Sequence, residues 1–202
     1  MDLLIETILN STVEIIVFSA VPLIWWAVTS KKGETFFHWI GLRKVCGKKV
    51  SILPSAILTL LGFIAISLAM LNYVSGTATA ASQFYALGSK ALPAILVYAI
   101  LNTSLPEELF FRGFLLKRLS NRLGFGWGNV LQSLMFGMLH GALFISHTGL
   151  MMTFIMILFT GAVAWCMGYI NENKSCGSII PSWLIHAAAN VFSGLCYAFM
   201  LV

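Results

Sequence analysis

Charge is what this sequence has least of. Only 9% of its 202 residues are Asp, Glu, Lys or Arg, whereas a soluble domain carries roughly 25%. That excludes an ordinary water-soluble globule. A hydrophobic content of 59% and a mean hydropathy of +0.91 place the chain among polytopic membrane proteins. Cysteine is also scarce. Cys46, Cys166, Cys176 and Cys196 form no C-x-x-C pair, and two of them lie in apolar runs. The expectation is core thiols, not a disulfide framework or a cysteine zinc site. No H-E-x-x-H motif is present. Asp2 and Glu6 precede the first apolar run, with neither the positive n-region nor the cleavage site of a signal peptide, so that run reads as a retained helix. No internal repeat or low-complexity tract is visible. The net charge of +5 sits in loops between apolar runs, which suits a lipid bilayer as partner and not a nucleic acid.

A spanning helix needs about 20 mostly apolar residues. Runs of that kind predict six spans, with both termini outside: 12–29, 52–73, 91–119, 129–145, 150–170 and 179–202. Between the first two lie Lys31, Lys32, Arg43, Lys44, Lys48 and Lys49 against a single Glu34. The positive-inside rule makes this loop, 31–49, cytoplasmic. Its patch Phe36-Phe37-His38-Trp39-Ile40 fits either the headgroup region or an exposed loop. Residues 74–90 are small and polar and read as an external loop; 171–178 read as a cytoplasmic one. Gly124 to Gly128 and Ser146 to Gly149 are turn-rich breaks. Pro106, inside the third run, should kink or locally break it. The fold class is therefore all-α: a single membrane domain, 1–202. Residues 1–90 hold two N-terminal helices and the basic loop, and 91–202 hold a core whose site is buried between helices.

Three polar sets interrupt the apolar runs after residue 100. In Leu105-Pro106-Glu107-Glu108-Leu109-Phe110-Phe111-Arg112-Gly113, the ionisable groups are costly in hydrocarbon and are functional candidates by default. Glu108 and Arg112 are i,i+4 neighbours and can pair. Glu107 points about 100° away, which leaves it free for proton transfer. The rival reading is a clasp that only locks two helices. His140, one turn after Phe136, is either a satisfied core residue or part of a site. His186 and Asn190 share a helix face across three alanines. They serve either as interhelical glue or as donors to a developing oxyanion. Asn102 and Ser104 lie close enough to support the glutamates. His38 and His147 fall in loops and are not expected in the site. Glu14 is expected near the outer end of its helix. At 1.5 Å per residue, Glu107 and His140 lie about 20 Å from the cytoplasmic side, and His186 several ångströms shallower.

E-E-x-x-x-R, then F-x-x-x-H, then H-x-x-x-N on successive helices resembles the CPBP family, the CAAX-protease and bacteriocin-processing (Abi) intramembrane proteases. Glu107-Glu108 with Arg112, Phe136 with His140, and His186 with Asn190 each match. The likeness covers about residues 91–202. It implies an endopeptidase acting on a peptide precursor or a membrane-protein substrate. Glu107 and His140 would activate water, and Glu107 would pass the proton to the leaving amine. His186 and Asn190 would hold the oxyanion, with Glu108 and Arg112 in support. The resemblance favours a site without cofactor or metal. Were a divalent ion such as zinc bound, Glu107, His140 and His186 would be its ligands, with water fourth. Two other classes remain: a non-catalytic scaffold or bacteriocin self-immunity protein of the same family, and a proton-coupled transporter.

Overall fold

The computed structural model describes residues 2–74 and 79–201, with backbone only for 70–74 and His147. Residues 75–78 of the expected external loop lie outside that set. Among the described residues the chain is a helical membrane bundle without strands. Helix α1 spans Leu3–Thr29, the short α2 Phe36–Trp39, and α3 Lys49–Val74. Two 3₁₀ turns, Ala80–Phe84 and Gly88–Ala91, lead into a rod, α4, over 92–123. Gly124 (φ 77°) and Gly149 (φ 75°) leave the helical region, where glycine has no Cβ penalty. They separate α4 from α5 (125–148) and α5 from α6 (150–174). Helix α7 is Ile180–Ala198.

Four segments are long and apolar enough to cross a membrane: Leu3–Thr29, Lys49–Ala69, Gly88–Ser146 and Thr148–Lys174. The third is α4 and α5 together, folded at Gly124. Helix α7 is not among them, because Ser182, His186, Asn190 and Ser193 interrupt its apolar run. The runs expected as six spans fold as six rods, of which four segments, one of them folded at Gly124, have the length and hydropathy of a membrane span.

Several boundaries differ from expectation for local reasons. Helix α1 starts at Leu3 and not near Thr12, because the Asp2 carboxylate caps it by accepting from the Leu4 N–H at 3.2 Å. The buried Thr7 and Ser11 hydroxyls donate to backbone carbonyls one turn back, so the polar stretch is satisfied inside the helix. Glu14 therefore lies well within α1, half-buried, and not at its outer end. Pro106 does not break α4. The helix widens into π-helical turns at Tyr98–Ser104 and Leu109–Leu116 on either side of it. The wider turns interrupt the regular i→i−4 ladder around the proline ring.

The basic loop is not exposed over its whole length. Phe37 is exposed, but Trp39 and Ile40 are buried against Leu109, Phe114 and Ile179. The Arg118 guanidinium stacks on Trp39 at 4.0 Å. The Ile179 N–H donates to the Gly41 carbonyl at 2.9 Å, and the Ser178 hydroxyl to the Arg43 carbonyl at 2.7 Å. Cys46 and Cys176 are joined in a disulfide across this contact, correcting the expectation of four core thiols. Their 130-residue separation hides the pairing in sequence. Cys166 and Cys196 remain free thiols.

At the opposite end, Phe84, Ala91, Ile95, Tyr98 and Ala198 form a second apolar cluster. Helices α5 and α6 are held by buried amides: Asn129 donates to the Trp165 carbonyl at 3.0 Å, and Gln132 donates to Asn129 at 2.9 Å.

Candidate active site

Three rods bring the polar sets together. Glu107, Glu108 and Arg112 come from α4, Phe136 and His140 from α5, and Ser182, His186 and Asn190 from α7. Glu108 and Arg112 are completely buried, with Arg112 Nη1 3.0 Å from Glu108 Oε1. The guanidinium carbon also sits 4.2 Å from the Phe136 ring centre, a cation–π contact that offsets part of its desolvation. His186 Nδ1 lies 3.0 Å from the same Glu108 oxygen, and the Ser182 hydroxyl donates to the other. Ser182 is in turn held by Asn171, whose amide donates to its hydroxyl at 2.7 Å and accepts from its backbone N–H at 3.2 Å. An acceptor at Nδ1 makes that nitrogen the donor. His186 Nε2 then points at Glu107, 3.8 Å from Oε2.

Glu107 shares His186 with its neighbour but is less enclosed. Its carboxylate lines a cavity of about 880 Å³, and its Oε2 has no hydrogen-bond partner among the described residues. His140 lines the same cavity. Its Nδ1 donates to the Phe136 carbonyl at 3.0 Å, leaving Nε2 free to accept. Asn190 also lines it, but its amide donates to Thr103 at 2.6 Å and to Ser104 at 3.2 Å. The donors expected for an oxyanion are here engaged with α4.

The structure thus gathers all six residues singled out in the sequence. It also adds Ser182, Asn171 and Thr103. Ser182 precedes His186 by four residues, so it shares the histidine's face; that spacing was a readable signal. Asn171 and Thr103 carried none, because they meet their partners only through packing. Ser178 and Ile179, taken as loop and helix start, are themselves fully buried beneath the basic loop, so α7 begins inside the bundle. His38 pairs with Glu34 at 2.7 Å and Arg43 at 3.0 Å, away from the site. The His147 side chain lies outside the described set. Among the described residues no three His, Cys, Asp or Glu side chains gather as a metal-ligand set. Glu107, His140 and His186 share a cavity without converging on one point.

Residues 88–192, just over half of the chain, match the family model described as type II CAAX prenyl endopeptidase Rce1-like. The chain belongs to this family. The match takes in Glu107, Glu108, Arg112, His140, His186 and Asn190 and leaves α1 to α3 outside. Neither a curated protein nor a solved structure matches the chain. Membership of the Rce1-like family makes the chain a protease, a hydrolase of the CAAX intramembrane endopeptidase kind. Together with the long apolar helices it makes the chain a multi-pass membrane protein.

Proposed function

We propose that the protein cleaves a peptide bond in a peptide precursor or a membrane-protein substrate, using water activated by Glu107. The observation that carries this reading is the unpartnered Glu107 carboxylate oxygen, facing His186 in a cavity shared with His140. A carboxylate without a fixed donor is available to a water molecule. His140 Nε2 offers that water a second acceptor. Glu107 takes one proton from the water as its oxygen bonds to the carbonyl carbon. The carbonyl π electrons move to oxygen, and the His186 ring, which faces Glu107, stabilises the oxyanion. The C–N bond then breaks, the oxyanion re-forms the carbonyl, and the proton on Glu107 passes to the leaving nitrogen. Asn190 joins the oxyanion site when its amide turns from Thr103; in the present arrangement it fixes α7 against α4.

No step is routed through a metal, since the three residues that would ligate one do not converge. Activity that survives chelation of the purified protein supports this; activity lost on chelation and restored by zinc refutes it. The basic loop, 31–49, is assigned to the cytoplasmic face of the cell membrane by the positive-inside rule.

The deciding experiment compares the peptides released by wild-type cells and by a Glu107→Gln strain. General-base loss is worth about 10²–10⁴-fold, so the variant should fold normally and lose at least one cleavage product. Cleavage at the wild-type rate by the folded variant would sink the assignment. A phenotype that persists in that strain would favour the scaffold or immunity reading.

A further inference from the structure

The bundle is closed at one end of the site and hollow towards the other. At the basic end, Trp39, Ile40, Leu109, Phe114 and Ile179 form a buried apolar plug. The loop that carries Trp39 and Ile40 is fastened to the segment before α7 by the Cys46–Cys176 disulfide. Among the described residues, none from 31–49 and none from 171–178 lines the cavity. Its walls instead run from Glu107 and His140 to Thr79, Ser82 and Tyr85 in the connection at the opposite end. At about 880 Å³ the cavity is large, near the upper end of the roughly 300–1,000 Å³ usual for ligand pockets. Its walls combine the apolar Phe63, Leu143, Phe144 and Phe159 with the uncharged hydroxyls of Thr160 and Ser193. Glu107 is the only Asp, Glu, Lys or Arg among the described lining residues.

We infer that the substrate reaches Glu107 from the face opposite the basic loops, as an uncharged, apolar peptide segment threaded past the 79–85 connection. An acidic side chain in that passage would lose its hydration with no lysine or arginine among the described lining residues to receive it, and it would repel Glu107. The faces are defined by the basic loops themselves, so the inference holds for either orientation of the bundle in the bilayer. It rests on the reading of Glu107 as the catalytic base, yet its test needs no turnover.

The test uses the full chain with Cys166→Ala and Cys196→Ala, leaving the disulfide in place. Single cysteines are added by Glu107→Cys at the site, Tyr85→Cys at the mouth and Lys44→Cys on the basic face. Each is exposed to a membrane-impermeant, trimethylammonium-bearing thiosulfonate in right-side-out and in inverted vesicles. The expected result is that Glu107→Cys is modified in the preparation that modifies Tyr85→Cys, and not in the one that modifies Lys44→Cys. Modification alongside Lys44→Cys, or in neither preparation, overturns the inference. Should Glu107→Cys fail to fold, Ser193→Cys, on the same cavity wall, gives the same reading. Capped tetraleucine should slow the site modification several-fold while capped tetraglutamate does not. Equal slowing, or slowing by neither, overturns the substrate class. Failure of the Glu107→Gln cleavage test would instead remove the base assignment and leave the labelling pattern standing.

Discussion

Glu107 and Glu108 are adjacent in sequence, yet substitution should separate them sharply. Glu108 is fully buried between Arg112, His186 and Ser182. Glu108→Gln leaves the buried Arg112 guanidinium uncompensated, an arrangement that costs about 3–5 kcal/mol when a buried pair loses one partner. Thermal denaturation in detergent should show a large drop in Tm, with poor recovery of folded protein. Glu107→Gln removes no protein hydrogen bond from Oε2 and should melt as wild type does. Ser182→Ala should fall between, losing about 1–3 kcal/mol as Glu108 gives up a donor and Asn171 a partner. Equal Tm values for the two glutamine variants would show that the clasp and the free carboxylate are not distinct. Spacing alone had paired Glu108 with Arg112 and turned Glu107 away. It did not show that His186 would hydrogen-bond to Glu108 and present only Nε2 to Glu107. That contact depends on the rotation of α7 about its own axis, which no spacing within α7 records.

Helix-to-helix contact fixes where these side chains end up, and α5 against α6 is the tightest case. A Cβ built on Gly137 would come 2.4 Å from the Ile157 carbonyl oxygen, a backbone atom that cannot swing aside. Gly137 lies between Phe136 and His140, so Gly137→Ala should force α5 away from α6 and shift both side chains. We expect a loss of about 1–3 kcal/mol and reduced cleavage. Gly62→Ala is the matching control, since nothing lies within 4 Å of its Cβ. In α3 it should be neutral or stabilising by up to about 1 kcal/mol. If both variants melt alike, the close approach of α5 and α6 is not what sets the site. The rods themselves were legible, because lipid-facing helices need long apolar runs and this chain has them. Their fine structure was not. Pro106 signals a disturbed helix, but whether the chain bends or widens depends on neighbours that supply or withhold room. The start of α1 was missed because Thr7 and Ser11 look like loop residues until their hydroxyls find the preceding turn.

At the scale of the molecule, the family match covers 88–192, yet the site is closed by residues outside it. Trp39 and Ile40 fill the end of the cleft between α4 and α7, and the loop bearing them was the segment sequence reading placed least well. Its basic residues mark a membrane face, but they say nothing of the two apolar side chains tucked behind them. The same docking buries the start of α7, since Ser178 and Ile179 lie under this loop. Trp39 is therefore expected to do two jobs. Trp39→Ala removes a large buried side chain and the support for Arg118, at a cost of about 3–5 kcal/mol. It should also open the basic end of the bundle. Combined with Glu107→Cys in the background lacking Cys166 and Cys196, it should make the site react with the impermeant thiosulfonate from both faces, where the parent reacts from one. Reaction still confined to the face of Tyr85 would mean that Phe114 and Ile179 seal the cleft without help from the loop. In that case the N-terminal third would stabilise the protease core without gating it.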